Sequence, residues 1–192
     1  MLQSATNAWL TALEKQNVLV IGDIILDHYL QGAVERISPE APVPVVNVVQ
    51  ESYRLGGAAN VALNIKALGA RPLLISVTGT DKEAQQLIDL MGKASIETTY
   101  ILPDKARSTT CKTRVMSGHQ QLLRYDKESL QELSPSLEQQ FVDILQTLFE
   151  SKSIDALIFQ DYNKGMLSAS LIQKTITLAK KYNISTFADP QS

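Results

Sequence analysis

"LGGAANVALNIKALGA", residues 55–70, reads as an amphipathic helix whose first turn is almost all Gly and Ala. Residues 57–68 place Ala58, Val61, Ala62, Ile65 and Leu68 on one helical face, and Gly69 ends the helix as a C-terminal cap. So bare a helix start has two explanations. Glycines let backbone approach a ligand closely, and the free N–H groups of a helix start favour anions and hydroxyls. Close packing of a helix on a sheet requires the same small residues. Asn60, one turn in, offers both a donor and an acceptor, as a sugar hydroxyl requires.

The flanking segments set the fold class. Residues 17–26 ("NVLVIGDIIL") open with a buried-strand run that breaks at Gly22-Asp23. Further strands are predicted over 71–79, 155–160 and 184–189. Helices are predicted over 82–92, after a Thr80-Asp81 cap, and over 169–182; another starts at Ser134-Pro135, with Leu137, Phe141, Ile144, Leu145 and Leu148 as its buried stripe. This alternation predicts an α/β fold with a mostly parallel sheet covered on both faces. Ligands of such sheets lie beyond the carboxyl ends of the strands, where Gly22-Asp23, Gly79, Gln160-Asp161 and Ala188-Asp189 fall.

Two segments interrupt the pattern. Residues 30–54 carry three prolines in "SPEAPVP" and then "VVNVVQ", which suits edge strands. Residues 107–126 read as a hairpin turning at Ser117-Gly118. Both are expected as β excursions from a single α/β unit over 1–192, and residues 1–16 as a short amphipathic helix.

Composition narrows the function classes. The chain has 192 residues, 44% apolar and 20% charged, enough for a core. Lys plus Arg is 18 against 20 for Asp plus Glu, so no overall field favours nucleic acid or an anionic membrane. Cys111 is the only cysteine, which excludes an intrachain disulfide and fits a reducing compartment. With no signal-peptide pattern and no membrane-length apolar run, a cytoplasmic protein is expected.

Asp23 and Asp27 follow the first strand at a spacing of four, and carboxylates at a strand end either accept sugar hydroxyls or cap local backbone. Lys112 and Arg114 share a strand face, because side chains alternate with period two, and Arg124 comes from the partner strand. Three cations on one hairpin form a candidate phosphate clamp, with Arg supplying bidentate geometry; a solvated sheet face is the plainer alternative. Gln120 and Gln121 are candidate hydroxyl contacts. His28 and His119 have no partners at ligand spacing, so no metal site is expected.

Gly56-Gly57, the Ala58-x-Asn60-x-Ala62 run, Gly69 and Gly79 together resemble the first signature of the ribokinase-like (PfkB) carbohydrate kinases. The dinucleotide fingerprint Gly-x-Gly-x-x-Gly is absent, against a nicotinamide enzyme. "GDIILDHY", "RISPEAPVPVV", "GGAANVALNIKALGA", "QQLLRYD" and "DYNKG", in this order over residues 17 to 190, are similar to the heptose 7-phosphate kinases of lipopolysaccharide-core synthesis, which lead to ADP-heptose. The resemblance implies a three-layer sandwich with a small β lid, ATP and Mg2+ as co-substrate and cofactor, and a homodimer formed through residues 30–54. It also implies that Asp23, Gly56, Gly57 and Asn60 hold the sugar, that Lys112, Arg114 and Arg124 hold its phosphate, and that Asp161, Lys164 and Asp189 lie near the transferred phosphate.

The chain departs from that pattern at Cys111 (usually Thr), at Gly118-His119 (usually Arg-Asn) and at Gln191 (usually Lys). The family's second signature, Thr-Gly-Ala-Gly-Asp, supplies the general base and an anion hole. No Gly-x-Gly-Asp occurs among the nine glycines here. These residues are therefore expected to be the sugar-binding half of a kinase, inactive alone. A different PfkB sugar or nucleoside kinase, and a non-catalytic sugar-binding or dimerisation module, are the alternatives.

Overall fold

A computed structural model describes residues 11–190. The central sheet joins β1 (Asn17–Gly22), β4 (Arg71–Thr78), β5 (Ile101–Pro103), β8 (Ala156–Asp161) and β9 (Ser185–Pro190) in the order β5-β4-β1-β8-β9, with every pairing parallel. Strand alternation splits its side chains between two cores. Leu19, Ile21, Ile75, Val77, Leu157 and Phe159 pack with α3 (Pro135–Glu150) and α4 (Ala169–Lys181). Val18, Val20 and Leu74 pack with α1 (Ala58–Ala67) and α2 (Lys82–Lys93). The result is the expected three-layer sandwich. Each fully buried residue such as Leu19 or Ile21 contributes about 1.5–3 kcal/mol.

The strand order reverses at β1. The chain runs outward through β4 and β5, then returns to the other side for β8 and β9. In open parallel sheets that reversal opens a crevice at the carboxyl ends of the two flanking strands. Here those ends are Gly22-Asp23 and Gln160-Asp161, and the Asp23 N–H donates to the Gln160 carbonyl at 3.2 Å.

A second sheet lies over this end, built from β2 (Ile24–Ile37), β3 (Pro44–Gly57), β6 (Cys111–Ser117) and β7 (Gln120–Lys127) in the order β3-β2-β6-β7. The expectation of edge strands in 30–54 holds for β3 but not for β2, which pairs with β3 on one side and β6 on the other. The prolines allow this because Pro39 and Pro42 sit in the connection and Pro44 opens β3. The hairpin strands start at Cys111, residues 107–110 lie outside any strand, and Ser117 pairs with Gln120, so the turn residues are Gly118 and His119. Of the N-terminal helix expected over 1–16, residues 11–16 are described, and only 11–13 are helical, with a turn at 14–15; residues 1–10, Gln191 and Ser192 lie outside the described residues. Among the described residues no helix is long and apolar enough to cross a membrane.

Asp81 ties the lid sheet to α2. Its carboxylate caps α2 by accepting from the Ala84 N–H at 3.1 Å, and it accepts from the Thr109 N–H at 3.0 Å and Lys127 Nζ at 2.9 Å. Burial alone would raise this carboxyl, but the Thr109 and Lys127 donors outweigh it and hold its pKa at about 2. Asp81→Ala is expected to cost about 1–2 kcal/mol near neutral pH, chiefly through the lost cap. A carboxyl with a depressed folded pKa stabilises fully above its ordinary value of 3.8 and loses that stabilisation as pH falls through about 2. Urea unfolding of both proteins should therefore show a constant gap at pH 5 and above that narrows in acid; a pH-independent gap would leave only a neutral packing role.

Candidate functional site

At the sheet reversal, β1 is followed directly by Asp23, which is only 4% exposed. Its Oδ2 accepts from the Tyr162 N–H at 2.9 Å and the Lys164 N–H at 3.2 Å, and its carbonyl accepts from the Ala58 N–H at 2.9 Å. Burial pushes the carboxyl above its ordinary range, against the pull of the two amides. Of the two roles open to a strand-end carboxylate, these contacts show the capping one: Asp23 gathers the loop after β8 and the start of α1 around one residue.

The bare helix start follows from the same crowding. Gly57, the N-cap of α1, has φ +57 and makes no side-chain cap. A Cβ on Gly57 would fall far inside van der Waals contact of the Asp23 carbonyl oxygen, and one on Gly56 would press into the Asp27 carboxylate. The Asp23 backbone therefore requires glycine at 57, whereas a side chain at 56 would have to displace the Asp27 carboxylate. Asn60 is exposed on α1, and its side chain has no hydrogen-bond partner among the described residues.

The lid sheet presents two rungs of polar side chains on one face. Arg54, Asp27, Lys112 and Asp126 are register partners across β3-β2-β6-β7, and Tyr29, Arg114 and Arg124 form the next rung. Arg114 Nη1 pairs with Asp27 Oδ1 at 2.5 Å, and the Arg114 guanidinium lies 5.3 Å from the Tyr29 ring centroid. Lys112 pairs with Asp126 at 2.9 Å, Arg124 with Asp126 at 3.1 Å, and Lys164 with Glu128 at 2.9 Å. Burial alone would raise the Asp126 carboxyl, but Lys112 and Arg124 hold it below its ordinary range.

Asp27, Gly57, Lys112, Arg114, Arg124 and Lys164 line a single cleft of about 320 Å³, together with Ile25 and Tyr162. The structure thus brings together six of the residues singled out from the sequence. It leaves others apart. Gln121 pairs with Met116 near the hairpin tip, outside the cleft lining. Asp161 accepts from the Asn163 N–H and faces a different depression with Glu132 and Ser168. Asp189, on the edge strand β9, accepts from Gln160 Nε2 at 2.9 Å.

Asp126, Glu128 and Tyr162 were missed in the sequence. Asp126 was legible, since it lies two residues beyond Arg124 on one strand and so shares its face. Glu128 follows the strand end and Tyr162 enters through a loop, so no periodicity marks either.

A family model described as "pfkB family carbohydrate kinase" matches residues 15–191. The chain belongs to the pfkB family of carbohydrate kinases. Its relatives include "Bifunctional protein HldE" of Helicobacter pylori strain Shi470, 44% identical over 176 residues, which are 92% of this chain and 38% of that protein. The protein of the same name from Geobacter sulfurreducens is 43% identical over 175 residues, covering 91% of this chain and 35% of its own length. The chain therefore spans well under half the length of these relatives. Among solved structures, Arabidopsis thaliana ribokinase complexed with ribose and ATP superposes with a TM-score of 0.63 at 12% identity, over 91% of this chain and 53% of that one. The PfkB protein of Polaromonas sp. JS666 gives 0.61 at 16% identity, over 92% and 56%. At these identities the likeness is one of fold.

Kinases of the pfkB family use ATP and Mg2+. The described residues gather no group of three or more His, Cys, Asp or Glu side chains able to hold a metal ion, so no step through Mg2+ is assigned to them. What the cleft sets beside the N-terminus of α1 is a group of four cations, each ion-paired to a carboxylate.

The glycine requirement is directly testable. Gly57→Ala should destabilise the fold by more than about 2 kcal/mol, because a positive φ and a backbone clash act together. Gly92→Ala, in α2 with nothing near its added methyl, should be neutral or stabilising by up to about 1 kcal/mol. Equal effects in thermal unfolding would show that the crowding at Asp23 is relieved cheaply.

Proposed function

We propose that these residues form the sugar-binding side of an enzyme that transfers the γ-phosphate of Mg-ATP to the anomeric hydroxyl of D-glycero-β-D-manno-heptose 7-phosphate, giving the 1,7-bisphosphate on the route to ADP-heptose. The observation that carries this reading is the convergence of Lys112, Arg114 and Arg124 on one cleft bordered by Gly57. Membership of the pfkB family supplies the reaction class, and identity to proteins named HldE supports the heptose substrate. In this reading the rung cations read the phosphate at the far end of the sugar. Asn60 and the Asp23 carboxylate meet its hydroxyls.

Beyond the two rungs, the lid carries an exposed apolar ribbon. Val34, Ile37, Val43, Val48 and Val49 are all exposed toward the far end of β2 and β3, Val49 at 76%. Burying such a ribbon against a second copy is the favourable outcome for an edge strand with unpaired backbone. We therefore propose a homodimer through the lid.

Phosphoryl transfer depends on positioning and on charge stabilisation at the transferred group. Asp161 and Asp189 do not line the cation-bearing cleft, and no Gly-x-Gly-Asp stands in the sequence to provide an anion hole and base. The 192 residues alone are accordingly proposed to be inactive.

One coupled ADP-release assay tests the reading, run on this chain and on a chain extended to the length of its relatives. Turnover of heptose 7-phosphate is expected only from the longer chain. In that chain, Arg124→Ala should lower kcat/KM for the 7-phosphate about 10- to 100-fold, equivalent to about 1.4–3 kcal/mol, and leave the unphosphorylated heptose nearly unchanged. An equal loss for both sugars would favour a kinase for a sugar without that phosphate. Comparable turnover by the short chain would overturn its assignment as the sugar-binding side.

A further inference from the structure

The cations of the cleft are not free to receive an anion. Lys112 is held by Asp126 at 2.9 Å and approaches Glu128 at 3.9 Å, Arg124 is held by Asp126, and Lys164 by Glu128. The side chains of Lys112, Asp126, Glu128 and Lys164 are only 15–26% exposed, so these pairs are screened less than surface pairs. With Arg114 on Asp27, four cations meet three carboxylates and leave a single net positive charge. A simple anion receptor would instead leave its guanidinium and ammonium groups uncompensated.

We propose that Asp126 and Glu128 are specificity-determining residues, resident anions that the substrate's phosphate displaces from Lys112, Arg124 and Lys164. The proposal rests on the phosphate-clamp reading of the same cleft. A phosphate carries roughly −1.5 to −2 charge and three acceptor oxygens near neutral pH, so it can replace the contacts of two carboxylates. A neutral hydroxyl cannot, and a singly charged carboxylate can replace only one. The exchange makes the cleft selective for phosphorylated ligands at the expense of raw affinity.

Glu128 is placed to let go. It lies just beyond β7, in the strand-free stretch before α3, whereas Asp126 is fixed within β7 opposite Lys112. Lys164, released from Glu128, belongs to the loop whose N–H groups bond to Asp23. Exchange at the phosphate end therefore connects through one short loop to the sugar end.

Inorganic phosphate is the probe, titrated by isothermal calorimetry into the wild-type chain and into Asp126→Asn, Glu128→Gln and Arg114→Ala. Circular dichroism checks that each protein keeps its fold. Asp126→Asn and Glu128→Gln should each tighten phosphate binding about tenfold, since each removes one competing charge while preserving side-chain shape. Acetate should bind the two neutralised variants measurably and the wild type far more weakly. Arg114→Ala should lose phosphate binding.

Two outcomes overturn the proposal in different ways. If Arg114→Ala loses phosphate while the neutralised variants bind it unchanged or more weakly, the carboxylates orient the cations and do not compete; the phosphate-clamp reading then survives. If none of these proteins binds phosphate, the exchange and the clamp fail together.

Discussion

Asp23 is the residue on which the geometry of this end of the molecule depends. Through its carbonyl and one carboxylate oxygen it receives the N–H groups of Ala58, Tyr162 and Lys164, from two segments more than a hundred residues apart. It is almost fully buried, so losing the carboxylate would strand two amides at about 1–3 kcal/mol each. Gly57 exists to let this happen, since any side chain there would strike the Asp23 carbonyl. The start of α1 and the loop carrying Lys164 are thereby fixed relative to each other, at the place where the parallel sheet reverses its strand order.

The lid sheet is joined to this point without a linker. β2 begins one residue after Asp23, and β3 runs directly into α1 at Gly57. Lid position and helix position are therefore coupled covalently at both ends of the hairpin. The rung of Asp27, Lys112 and Asp126 lies only a few residues up the lid from that junction. Short connections of this kind hold a polar cluster in register more firmly than a loop-borne cluster could be held.

The α/β core was legible because its signals are local and periodic. The Val18–Ile21 run, the Asp81 and Ser134 caps and the Leu137-Phe141-Leu145-Leu148 stripe each appear at the expected place. Period two also placed Lys112 and Arg114 on one face and Arg124 across from them. What the sequence did not reveal is compensation between segments. Nothing local marks Asp23 as buried, because its partners are backbone amides 139 and 141 residues away. Nor does pattern show that Glu128 would reach Lys164, since neither lies within a regular element. Of the two explanations for the glycine pair, ligand approach and close packing, the structure shows the packing one in the crowding by Asp23 and Asp27.

On the proposed reading, the sugar enters between the lid rungs and the N-terminus of α1, with its phosphate on Lys112, Arg114 and Arg124 and its hydroxyls toward Asn60. The most direct measurement is a crystal structure of the protein with heptose 7-phosphate bound. The account predicts phosphate oxygens within about 3 Å of the Arg114 and Arg124 guanidinium groups and a sugar hydroxyl at hydrogen-bond distance from Asn60. A sugar bound on the opposite face of the lid, beside His28 and Tyr53, with the Arg114–Asp27 and Lys112–Asp126 pairs undisturbed, would contradict it.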